Sequence, residues 1–119
     1  MLRCLLLVLC VGMSFTPASA SDASFKAADG ELNKLYKKIE RRLKDNQDVA
    51  KDLVAAQRAW IAFRDAECKF AASGVQGGSA YPTVYSNCLA QLTQTRVNDF
   101  KSFLKCQEGD LSCPVPPAE

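Results

Sequence analysis

The segment Gln57-Arg58-Ala59-Trp60-Ile61-Ala62-Phe63-Arg64-Asp65-Ala66-Glu67-Cys68 gathers the only tryptophan, two arginines, two carboxylates and a cysteine into a few helical turns. Its chemistry is not that of a catalytic site. Asp65 and Glu67 stand two apart on a helix, so they point to different sides and do not converge for acid–base work. The chain contains no histidine. The commonest general base, and the usual activator of a serine or cysteine nucleophile, is therefore missing. No catalytic residue is assigned, no cofactor is expected, and the reading is that the protein is not an enzyme.

The charged and aromatic residues have a structural reading instead. Trp60 sits among apolar neighbours at helical spacing, as a core residue does. Arg64, Glu67 and Arg96 lie on or beside apolar stripes, where ionised groups need partners. An ion pair between two helices, such as Glu67 with Arg96, is the expectation.

Six cysteines are present, two of them within the first twenty residues. Those twenty read as a secretory signal: Arg3 opens it, Leu5 to Met13 is apolar, and Ala18-Ser19-Ala20 is a small-x-small cleavage site. The apolar run falls short of the roughly 20 residues a membrane span needs. No stable membrane insertion is expected after cleavage. The mature chain, Ser21 to Glu119, is long enough for one domain. It carries 14 basic and 13 acidic side chains, a net charge of +1. That balance gives no electrostatic footprint for nucleic acid.

The four remaining cysteines are Cys68, Cys88, Cys106 and Cys113, an even count that reads as two disulfides in an exported chain. Without histidine or any C-x2-C pair they do not read as a zinc site.

Three helices must position these groups. Phe25, Ala28, Leu32, Leu35, Tyr36, Ile39 and Leu43 predict a first helix over about 25–44, with Lys34, Lys37, Lys38, Arg41 and Arg42 on its outer face. Gly30 weakens it by about 1 kcal/mol. After Asp45-Asn46-Gln47-Asp48, where Asn46 or Asp48 can cap, a second helix is predicted over about 49–71. Its predicted inward stripe is Val49, Leu53, Ala56, Trp60, Phe63 and Glu67, with Gln57 and Arg64 at the margin. A third helix is predicted to start at Pro82 and reach about Lys105, with Tyr85, Leu89, Leu92, Arg96, Phe100 and Phe103 inward.

Between the last two helices, Ser73 to Tyr81 is glycine-rich. It lacks the lysine and the preceding strand of a phosphate-binding loop. It reads as a flexible turn, or as a recognition loop with Gln76, Ser79 and Tyr81 as candidate partner contacts. The fold class is all-α: a small antiparallel three-helix domain stapled by disulfides, with Pro114-Val115-Pro116-Pro117 as a stiff tail. Cys88 and Cys106 stand on one helix, about 27 Å apart at 1.5 Å per residue, and cannot pair. Antiparallel packing brings Cys68 to Cys88, leaving Cys106 to Cys113.

The whole pattern resembles the LprI-like lysozyme-inhibitor family, specifically its N-terminal domain. The carriers are Glu31-Leu32-Asn33-Lys34-Leu35-Tyr36, the segment Ala56 to Cys68, Gly77-Gly78-Ser79-Ala80-Tyr81-Pro82, and Cys88 to Arg96. Many members carry a further cysteine early in the domain, which this chain lacks after its signal segment. The resemblance implies an exported bacterial helical domain, periplasmic or secreted, with a protein partner, namely a lysozyme-type muramidase. The expected mechanism is steric occlusion by the Gly74 to Tyr81 loop or a helix face. The alternative is a periplasmic structural or interaction module without inhibitory activity.

Overall fold

The computed structural model describes residues 19–118; residues 1–18 of the expected signal segment lie outside them. Three long helices account for most of the described chain: α1 (Ala20–Arg42), α2 (Gln47–Ala71) and α3 (Tyr81–Leu104). A turn of 3-10 helix, Ser73–Val75, lies between α2 and α3. No strand occurs among the described residues.

Each helix begins where a local signal permits it. Ser19 caps α1 by accepting from the Asp22 backbone N–H at 3.3 Å. This cap starts α1 five residues before the expected Phe25. Cleavage after Ala20 would remove both the cap and the first helical residue. Asn46 caps α2, accepting from the Val49 N–H at 3.3 Å. The helix therefore opens at Gln47, two residues before the expected Val49. In α3, Tyr81 comes first and Pro82 second, so the proline's missing N–H falls among groups without an intrahelical partner.

α2 runs antiparallel to its neighbours, whereas α1 and α3 run parallel. Two cross-links mark the parallel pair. Near the N-terminal ends, the Ser86 hydroxyl donates to the Asp22 carboxylate. At the C-terminal ends, Arg42 Nη1 donates to the Leu104 carbonyl at 2.9 Å. α3 is the central element and packs most extensively against α1. The core joins Leu32, Ile39 and Leu43 to Val97 and Phe100, and Val115 of the tail closes it.

The stripe predicted for the first helix is essentially the observed one, with Ala28, Leu32, Ile39 and Leu43 buried. The stripe predicted for the second is not. Arg64 and Cys68 are the buried residues of α2, while Ala56, Phe63 and Glu67 are exposed. The inward line runs Val49, Leu53, Gln57, Trp60, Arg64, Cys68, in steps mostly of four. The predicted line took more steps of three and so rotated away from the true face toward the helix C-terminus. In α3, Leu89 and Phe100 are buried as expected, joined by Ser86, Thr93 and Val97.

Both disulfides join the expected partners. Cys68–Cys88 has a Cα separation of 5.5 Å and Cys106–Cys113 one of 5.7 Å. The first ties the end of α2 to the start of α3. The second folds the chain back after α3, through Gly109 at φ +89°, and delivers Val115 to the core.

Candidate functional site

The residues singled out on α2 and α3 meet in one seam. Arg64, only 8% exposed, places its guanidinium 5.3 Å from the Phe25 ring centroid and 5.1 Å from that of Trp60. The Arg96 guanidinium lies 5.8 Å from the centroid of the same Trp60 ring and 4.6 Å from that of Phe100. Phe25, Arg64, Trp60, Arg96 and Phe100 thus form an alternating ladder of rings and cations across all three helices. A cation over an aromatic face is attracted by the ring quadrupole, and more strongly where water is excluded.

The carboxylates around the ladder belong to it. Arg64 donates from Nε to Asp65 Oδ1 at 3.0 Å, with Nη2 at 2.9 Å from the same oxygen. Its Nη1 reaches Thr93 Oγ1 at 3.5 Å and lies 3.7 Å from Asp29 Oδ1. Arg96 donates from Nε to Gln57 Oε1 at 3.2 Å, and its Nη1 is 3.9 Å from Asp99 Oδ2. Burial lowers the Arg96 pKa from the usual arginine value, with Asp99 opposing the shift.

The expected Glu67–Arg96 pair does not form. The Cys68–Cys88 bridge sets the register between antiparallel helices, so each step forward along α3 matches a step back along α2. Arg96, eight residues after Cys88, is level with Trp60, eight residues before Cys68. Glu67 stands about 10 Å away along the axis, on the exposed face. Trp60 is likewise half-buried rather than fully enclosed.

The glycine-rich connection is a chain of tight turns. Val75 N–H donates to Ala72 O, Gln76 N–H to Ser73 O, Gly78 N–H to Val75 O and Tyr81 N–H to Gly78 O, all at 3.0–3.3 Å. Gly77 takes φ +81°, which a side chain rarely tolerates. The Cys68–Cys88 bridge pins both flanking helices. Gln76 and Ser79 are exposed at this end. Tyr81 is not displayed by the loop: it is the first residue of α3, half-buried and stacked on Tyr85 at 5.8 Å.

Two residues missed from the sequence now stand out. Phe70 is 75% exposed and Phe63 is 54% exposed, two turns apart on one face of α2. Ala55, Ala59, Ala62 and Ala66 are exposed along the same side. The error in the α2 stripe hid them, since it turned Phe63 inward. The register implied by the predicted Cys68–Cys88 bridge would have placed them correctly.

These features define a small all-helical, disulfide-stapled scaffold in which Arg64–Asp29 and Lys101–Glu31 are the ion pairs between helices among the described residues. The model of the lysozyme inhibitor LprI family matches residues 12–100, and the chain belongs to that family. It is also 34% identical, over 100 residues, to an uncharacterized protein of Rhizobium meliloti (strain 1021), covering 75% of this chain and 72% of that protein. No solved structure matches the chain. None of the described helices is long and apolar enough to cross a membrane.

Proposed function

We propose that this protein is an extracytoplasmic inhibitor of a lysozyme-type muramidase, periplasmic or secreted, acting by steric occlusion. Membership of the lysozyme inhibitor LprI family carries the reading. The contact surface we assign is the end formed by Gln76 to Ser79 together with Phe70, with Phe63 extending it along α2. Three physical features support that choice. The turn is hydrogen-bonded within itself, so little ordering entropy is lost when it docks. The neighbouring disulfide holds its base. Phe70 supplies the exposed aromatic anchor typical of the few residues that dominate an interface.

Occlusion requires no reactive group in the inhibitor. A rigid polar tip enters or covers the muramidase cleft and excludes the polysaccharide. The mature net charge of +1 provides little long-range steering onto a cationic lysozyme, so affinity must come from shape and the aromatic contact. The test is muramidase activity in the presence of purified oxidised protein, across chicken-type, goose-type and invertebrate-type lysozymes. Saturable inhibition of at least one type at micromolar concentration is expected. No inhibition of any type would replace this reading with that of an envelope interaction module.

A further inference from the structure

Three concavities stand out among the described residues. One, about 500 Å³, is lined by Lys38, Arg41, Arg42, Lys44 and Asp45, and another, about 550 Å³, mixes Lys44, Lys51 and Arg58 with Leu43, Ala50, Val54 and Ala55. The third, of about 350 Å³, is different in kind. Val49, Leu53 and Ala56 of α2, Phe103 of α3 and Pro114 of the tail give it apolar walls, over a floor of the buried Ile39, Leu43 and Val115. Arg96 and Asp52 are its charged lining residues. An apolar cavity of a few hundred Å³ with a small number of placed polar groups is the usual form of a small-molecule site.

Arg96 is the informative group. Its side chain is 15% exposed, yet among the described residues only its Nε–H makes a hydrogen bond, to Gln57. The nearest carboxylate oxygen, on Asp99, is 3.9 Å away, beyond hydrogen-bond distance. The four N–H groups on its terminal nitrogens have no hydrogen-bond acceptor within the described protein. No fully buried side-chain polar atom lacks a partner, so those N–H groups are reachable from outside. A guanidinium held in that state beside an apolar cavity is matched by a planar anion, which it binds through paired N–H bonds.

We propose that this groove binds an apolar monocarboxylate of the medium-chain fatty-acid class, with its chain along Val49, Leu53, Ala56 and Phe103 and its carboxylate on Arg96. Asp52 disfavours a second negative charge, so the site selects a monoanion over a dicarboxylate. The tail forms one wall, and the Cys106–Cys113 bridge holds that wall in place. The site is separate from the loop assigned to a muramidase and does not depend on that assignment.

Decanoate, kept below its micelle concentration, is the probe, with decanol and decanedioate as controls. Binding to the oxidised protein is followed by calorimetry and by methyl NMR shifts of Leu53 and Val115. Decanoate should bind saturably with one site and roughly tenfold more tightly than decanol, the ratio expected from one charge-assisted hydrogen-bonded pair. Decanedioate should bind more weakly than decanoate. Arg96→Leu should bring decanoate down to the decanol level. Because Arg96 also supports Trp60, Ala56→Trp provides a second variant: it fills the mouth from an exposed position and should abolish binding of both probes while helicity is unchanged. Equal binding of decanol and decanoate, decanoate binding that survives Ala56→Trp, or non-saturable uptake would each overturn the proposal. Anionic phospholipid vesicles distinguish the source of the acyl group: displacement of decanoate by vesicles assigns the site to a lipid chain, and its absence assigns it to the free acid.

Discussion

Between Arg64 and Arg96, Trp60 keeps part of its indole in water and the rest against two guanidiniums. Its removal forfeits apolar contact and both cation–π attractions. Trp60→Ala should cost about 3 kcal/mol, the low end for aromatic truncation because the residue is only half-buried. The urea midpoint reads that loss. Asp22 makes a different kind of contribution. Hydrogen bonds from Ser86 first, then Ser19, lower its pKa below the usual carboxylate value. A carboxylate with a depressed native pKa adds stability above its unfolded pKa of about 3.9, and that stability is lost as pH falls through the native value. Asp22→Asn should therefore be less stable than the parent at pH 7, and the gap should close as pH falls below about 4. Urea unfolding at both pH values checks the sign. That Trp60, Arg64 and Arg96 lie where helices meet is legible from their types and their place beside apolar stripes. Their partners are not, because pairing across helices depends on the register that Cys68 and Cys88 impose.

Helix by helix, legibility followed how consistent each apolar pattern was. The α1 stripe repeats cleanly from Ala28 to Leu43 and was read correctly. Its start at Ala20 is hidden in the sequence because Ser19, a good cap, falls within the expected signal segment. α2 offers apolar residues on two faces, and Phe63 on the outer one pulled the predicted stripe off the core. Gly30 stands in mid-α1 with nothing within 4 Å of where a Cβ would sit. Gly30→Ala should raise stability by about 0.5–1 kcal/mol, through helix propensity and a less free unfolded chain. A lower melting temperature in the variant would show a crowding that the structure lacks. The bridge between α2 and α3 acts mainly on the unfolded chain. Replacing both Cys68 and Cys88 with serine should cost about 3 kcal/mol by the chain-entropy estimate for its loop. Denaturant titration under non-reducing conditions measures it.

For the molecule as a whole, the disulfides, the ladder and the tail converge on one result: a rigid helical body with its glycine-rich turn and Phe70 at one end. The exposed Phe63 and Phe70 have no internal role, which fits a surface meant for a partner. The proposed inhibition requires that this end block a muramidase cleft. A stoichiometric titration tests it most directly: a fixed concentration of the most sensitive lysozyme is titrated with the oxidised protein, its Phe70→Ala variant, and a Gln76→Ala, Ser79→Ala variant. The end point should fall at one molecule per enzyme. Phe70→Ala should weaken affinity about tenfold or more, as for an interface anchor, with the far-ultraviolet circular dichroism of both variants unchanged. Inhibition by well under one equivalent, or full inhibition retained by both variants, would contradict it.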